Sequence, residues 1–145
     1  MRTGRRIAFD YGQVRIGVAA SDLSGLIASP VSTLQATDPN LPLHLQSIFS
    51  EYEPLYIVIG EPKHLSGAYN PSLIAARNFG DLIRTLTEIP VYFIDERMST
   101  VSASKVLHGA GFNSKESKSM IDAMAAVAIL ESALERERIA GKLDE

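Results

Sequence analysis

Arg5-Arg-Ile-Ala-Phe-Asp10-Tyr-Gly-Gln-Val-Arg15-Ile-Gly-Val-Ala-Ala-Ser21 is the stretch on which the fold turns. Arg5–Asp10 alternates apolar and other residues, meets Tyr11-Gly12, and the alternation resumes over Arg15–Ser21 through Ile16 and Val18. Period-two segments separated by a short glycine-containing loop predict a β-hairpin. An α/β chain that opens this way begins with antiparallel pairing.

Downstream, Ile27–Leu34 offers a third, shorter strand, and Pro30 within it places it near a sheet edge. Asp38-Pro-Asn-Leu-Pro42 then opens a helix with Leu45, Ile48, Phe49 and Tyr52 on one stripe. Leu55–Gly60 is continuously apolar between Pro54 and Pro62, as suits a parallel strand covered on both faces. A second helix follows the loop containing Gly67 and Pro71, with Ala75, Phe79, Leu82, Ile83 and Leu86 aligned. Pro90–Ile94 is another buried strand, ending in Asp95-Glu96-Arg97. Ser99 or Thr100 can cap a helix closed by Gly111, and a last helix begins near 114–119 and runs through Ile121–Leu130. The order β-β-β-α-β-α-β-α-α gives an α/β fold: a mixed five-stranded sheet with helices on both faces. Residues 1–145 make one domain, and 135–145 are the only plausible flexible tail.

Composition narrows the chemistry without naming it. With no cysteine, disulfides, thiolate metal sites and cysteine nucleophiles are excluded, and the three histidines show no metal-ligand spacing. Any metal must be held mainly by oxygen, which favours Mg²⁺ or Mn²⁺. The basic N-terminus leads into too short an apolar stretch for a signal peptide, so a cytoplasmic location is expected. A net charge of −3 argues against coating nucleic acid by bulk electrostatics, so such a role needs locally clustered Lys and Arg.

Carboxylates carry the functional signal. Asp10 ends the first strand just before a glycine, Asp95 and Glu96 end an apolar strand, and Asp122 sits in the first turns of a helix rich in alanine. Ligands collect beyond the carboxyl ends of strands in open α/β sheets, where Asp10, Glu61, Asp95 and Glu96 can meet. Each acid alone could be a loop residue, a helix cap or a dipole partner. Together they repel one another, which a fold tolerates when a cation sits among them. Such a centre suits phosphodiester hydrolysis. Ala123, Ala125, Ala126 and Ala128 around Asp122 let its helix lie close to the sheet.

Four segments, in order, carry a resemblance: Asp10–Asp22, Ala28-Ser-Pro30, Asp95-Glu-Arg-Met-Ser-Thr100, and Asp122 followed by Ala125-Ala126 and Ile129-Leu130. Over roughly residues 5 to 134 the chain resembles the YqgF/RuvX family of Holliday-junction resolvases and pre-16S rRNA processing nucleases. The resemblance implies a ribonuclease H-like fold, dependence on Mg²⁺ or Mn²⁺, and a branched-DNA or structured-RNA substrate. It also implies that Asp10, Glu96 and Asp122 are the catalytic, metal-binding acids. The chain departs from the family twice. Gly60-Glu61-Pro62 stands where Gly-Leu-Pro is usual, and the segment before the last helix is thinly basic, with Lys115 and Lys118 amid serines. The residues themselves leave Glu61 and Glu96 open as the second acid, with Asp95 a further candidate ligand; the resemblance points to Glu96.

Arg15, Lys63, Arg97, Lys115 and Lys118 are the candidate substrate contacts. An arginine fork suits phosphate, although Arg15 and Arg97 could equally pair with neighbouring acids, and Lys63 could belong to a solvated loop. Tyr52, Tyr56 and Tyr92 read as packing residues. Two other functions fit parts of the sequence. Asp10-x-Gly12 also resembles the phosphate hairpin of actin-like ATPases, and a binding module with a weakened nuclease site would explain the thin basic content. Paired nicking of a four-way junction would call for a homodimer.

Overall fold

The computed structural model describes residues 2–62, 70–95, 114–141 and 143, with the backbone alone for 114–120. Its strands are β1 (Ile7–Tyr11), β2 (Arg15–Ser21), β3 (Ala28–Gln35), β4 (Ile57–Glu61) and β5 (Val91–Asp95). Its helices are α1 (Leu41–Tyr52), α2 (Pro71–Leu86) and α3 (Ser114–Ala140). The sheet order is β3-β2-β1-β4-β5. β1, β2 and β3 pair antiparallel, while β4 runs parallel to β1 and β5 parallel to β4. This is the expected mixed sheet.

Alternation sorts each strand onto two cores. Ile7, Phe9, Ile16, Val18, Ile57, Ile59 and Val91 pack with α1 and α2. Ala8, Ala19, Val58 and Ile94 pack with α3. β4 feeds both cores, which is why it reads as an unbroken apolar run. Small residues predominate where α3 lies: Ala123, Ala125 and Ala126 are buried, and Ala128 is partly so. The covering helices therefore sit on both faces, α1 and α2 on one and α3 on the other.

Local chemistry sets the element ends. Pro71 starts α2, and the Asn70 side chain accepts hydrogen bonds from the amides of Ser72 and Leu73 while donating 2.7 Å to the Pro62 carbonyl. In the β2–β3 turn, Asp22 Oδ1 accepts from the amides of Leu26 and Ile27, with Gly25 in a left-handed conformation. The Ile27 amide, against slight desolvation and with further help from Leu26, holds the Asp22 carboxyl below its ordinary range. Asp22, part of the motif stretch, is thus a turn residue. β3 is an edge strand carrying Pro30, as expected, but at eight residues it is the longest of the five. Its irregular register opposite Val18 and Ala19 accommodates the proline.

Two details of helix reading are corrected. On α2 the buried positions are Ala76, Phe79, Gly80 and Ile83, with Ala75 only partly covered. The expected tail from 135 is helical as far as Ala140, because Glu137 is buried against Arg6. The helix expected between Ser99 and Gly111 lies outside the described residues.

Candidate active site

Asp10 is the fourth residue of β1 and shares the α3 face with Ala8. Its cross-strand partner is Gly17 of β2. Above Gly17 lies the third turn of α3: a Cβ on Gly17 would stand 1.9 Å from the Asp122 carbonyl oxygen and 3.0 Å from the Ala123 nitrogen. Real side chains do not survive such contacts, so glycine here lets helix backbone touch strand backbone. That contact brings Asp122 over the sheet beside Asp10. Both carboxylate residues are partly buried.

Arg15 completes the cluster. It lies two residues before Gly17 and so on the same face of β2. Its Nε donates to Asp122 Oδ2 across 2.6 Å, with the two side chains 35% and 21% exposed. Of the two uses that sequence allowed Arg15, pairing with an acid is the one the structure displays. The β1–β2 connection beneath it is closed by the Gly12 amide donating 2.9 Å to the Arg15 carbonyl.

Glu61 and Asp95 are elsewhere. Glu61 is only 3% exposed, and its carboxylate takes an ion pair from Arg77 of α2, with Arg77 Nε donating 2.7 Å to Oε2. By alternation from Ile57 and Ile59 it faces α2, across the sheet from Asp10. Asp95 is opposite Glu61 in register and on that same face. Arg77 also lies 5.1 Å over the Phe93 ring, a pairing that sequence reasoning missed. Glu96, Arg97 and Lys63 lie outside the described residues. Lys115 and Lys118 fall in the first turns of α3, N-terminal to Asp122. Among the described residues no three of His, Asp and Glu gather into a metal-binding group. Asp10 and Asp122 supply two hard-oxygen residues, and their chemistry suits Mg²⁺ or Mn²⁺.

The far end of α3 is anchored by a network that sequence did not reveal. Arg6, fully buried, donates Nε and Nη2 to the two oxygens of Glu137 at 3.1 and 2.9 Å. Tyr56 Oη donates 2.8 Å to the same carboxylate. Burial pushes Glu137 upward, but the hydrogen bonds from Arg6 and Tyr56 and the Arg6 charge outweigh it, and the carboxyl sits below its ordinary value. Burial, with the neighbouring Glu137, pushes the Tyr56 phenol well above its usual range.

Comparison with known proteins settles the kinship. A family model described as "RuvX: Holliday junction resolvase" matches residues 4–136. The chain belongs to the RuvX family. A Streptomyces avermitilis protein named "Putative pre-16S rRNA nuclease" is 45% identical over 144 residues, covering 98% of this chain and 92% of its own. A Cutibacterium acnes protein of the same name is 44% identical over 140 residues, covering 94% and 85%. Among solved structures, Thermus thermophilus RuvC in complex with a Holliday junction substrate matches with TM-score 0.57 at 15% identity, over 94% of this chain and 96% of that one. The yeast mitochondrial Holliday junction resolvase matches with TM-score 0.50 at 13% identity, over 96% and 83%. These structural likenesses establish a common ribonuclease H-like fold. As a RuvX member the chain is a nuclease, which sets aside the actin-like ATPase reading. No helix among the described residues is long and apolar enough to cross a membrane.

Proposed function

We propose that this RuvX protein hydrolyses phosphodiester bonds in structured nucleic acid, branched DNA or the 5′ end of pre-16S rRNA, with Mg²⁺ or Mn²⁺ held by Asp10, Asp122 and Glu96. The observation that carries the reading is the convergence of Asp10 and Asp122 over Gly17 on one face of the sheet. Two acids from elements over a hundred residues apart share one face of the sheet around Gly17, an arrangement that a bound cation would stabilise. Glu61 faces α2, across the sheet from Asp10, so the third acid is assigned to Glu96, to which the family resemblance points. A divalent cation supplies water activation at neutral pH and stabilisation of the leaving oxygen.

The chain's own residues do the rest. Asp10 and Asp122 bind through hard oxygens, and the Gly17 contact fixes their spacing. Arg15, paired with Asp122 through Nε, places a guanidinium beside the acids where a phosphate oxygen would arrive. Arg97, Lys63, Lys115 and Lys118 are assigned to the nucleic-acid backbone, and we place the enzyme in the cytoplasm.

The test is a cleavage screen in Mn²⁺ over four-way junctions, structured pre-16S RNA and single strands, run beside Asp10→Asn. Wild type should cut a structured substrate and Asp10→Asn should not, while both unfold alike in urea. Equal cleavage by the two proteins would remove Asp10 from the centre.

A further inference from the structure

Arg15 is ion-paired with Asp122, one of the two acids, and its placement has a cost for any metal. It shares the α3 face of β2 with Gly17, below the turn of α3 that carries Asp122. Its Nε lies 2.6 Å from Asp122 Oδ2, the acid on the facing helix. Asp122 is only 21% exposed, so water screens this pair less than a surface one.

We propose that Arg15 is a built-in counter-cation of the acid pair, competing with the divalent metal for the charge on Asp122. The inference rests on the nuclease reading above, since it takes metal binding as given. Without metal, the guanidinium offsets the negative charge of the acid pair and ties α3 to β2 at Asp122. Bringing in a divalent cation sets two positive groups against each other, and the guanidinium must yield Oδ2 or share the carboxylate. Its freed donors then face solvent at the point where a phosphate would arrive. Arg15 thus exchanges an acid partner for a substrate partner as metal loads.

The sign of the effect separates this role from that of a residue that merely holds Asp122 for the metal. Calorimetric Mn²⁺ titration of Arg15→Gln should show about tenfold tighter binding than wild type, because a repelling charge is gone. Metal-free Arg15→Gln should melt lower than wild type and gain more from Mn²⁺. Arg15→Lys should bind as wild type does, and Arg77→Gln on the opposite face should leave the affinity unchanged. Equal or weaker Mn²⁺ binding by Arg15→Gln would overturn the proposal. Should that variant not fold, Mg²⁺ titration of wild type followed at the Arg15 Nε–H resonance decides. The signal should move toward that of a solvated guanidinium, and no movement under saturating metal overturns the idea. Failure of the nuclease reading looks different: wild type and Asp10→Asn would then bind Mn²⁺ equally poorly, and both proposals would fall.

Discussion

Gly17 and Asp122 meet backbone to backbone, with no room for a side chain between β2 and α3. A single hydrogen at the Gly17 α-carbon therefore sets how near a helix acid comes to a strand acid.

Gly17→Ala should displace α3, since the clash is with a helix carbonyl that has no rotamer to change. We expect a loss of about 1–3 kcal/mol in urea unfolding and loss of nearly all cleavage. The wild-type cleavage rate in a folded Gly17→Ala protein would show that the close approach is unnecessary.

Glu61→Gln should leave Mn²⁺ affinity near wild type, because Glu61 lies across the sheet from Asp10 and is satisfied by Arg77. Glu96→Gln should weaken Mn²⁺ binding and slow cleavage by at least tenfold. Arg77→Ala should cost about 1–3 kcal/mol by leaving a buried carboxylate without its cation, whereas Glu61→Leu should be close to neutral. A large metal defect in Glu61→Gln would reverse the assignment of the third acid.

The Arg6–Glu137 pair makes an acid-sensitive clasp. Its folded carboxyl lies below the ordinary 4.5, so its stabilisation is complete above that value and fades as pH falls through the folded pKa. Glu137→Gln should cost about 3 kcal/mol at pH 7 by leaving Arg6 buried without its counter-charge. The gap to wild type should narrow as pH falls below 4.5. Urea titrations across that range check it, and a constant gap would deny the carboxylate its role. Tyr56→Phe should cost less, about 1 kcal/mol.

If four-way junctions are cut in symmetric pairs, the active species should hold two chains related by a two-fold axis. Sedimentation with and without junction measures this, and paired nicking by a complex with one chain would exclude it.

The hairpin, the edge proline of β3 and the buried β4 were legible because alternation, Pro30 and the flanking Pro54 and Pro62 each admit few structures. The side of the sheet that Glu61 faces was not legible. A strand apolar on both faces has no phase, and Pro62 restricts the backbone of Glu61 without choosing its direction. Asp10 and Asp122 stood out as acids against apolar surroundings. Gly17, by contrast, reads as one more residue in a hairpin, and its meaning depends on a helix over a hundred positions away. Glu137 was misread for a related reason. Glu135-Arg-Glu-Arg138 has the composition of a solvated helix end, and nothing local announces a buried arginine near the other terminus.

That clasp joins residues 131 positions apart, and among the described residues α3 is the helix that covers one sheet face. Contacts of such long separation form late, after the intervening chain has closed its loops. In chain order β1, β2, β3 and α1 all precede Asp122 and Glu137, which belong to the last helix. The acid pair of the proposed centre is therefore complete only once the last helix has docked on the first strands.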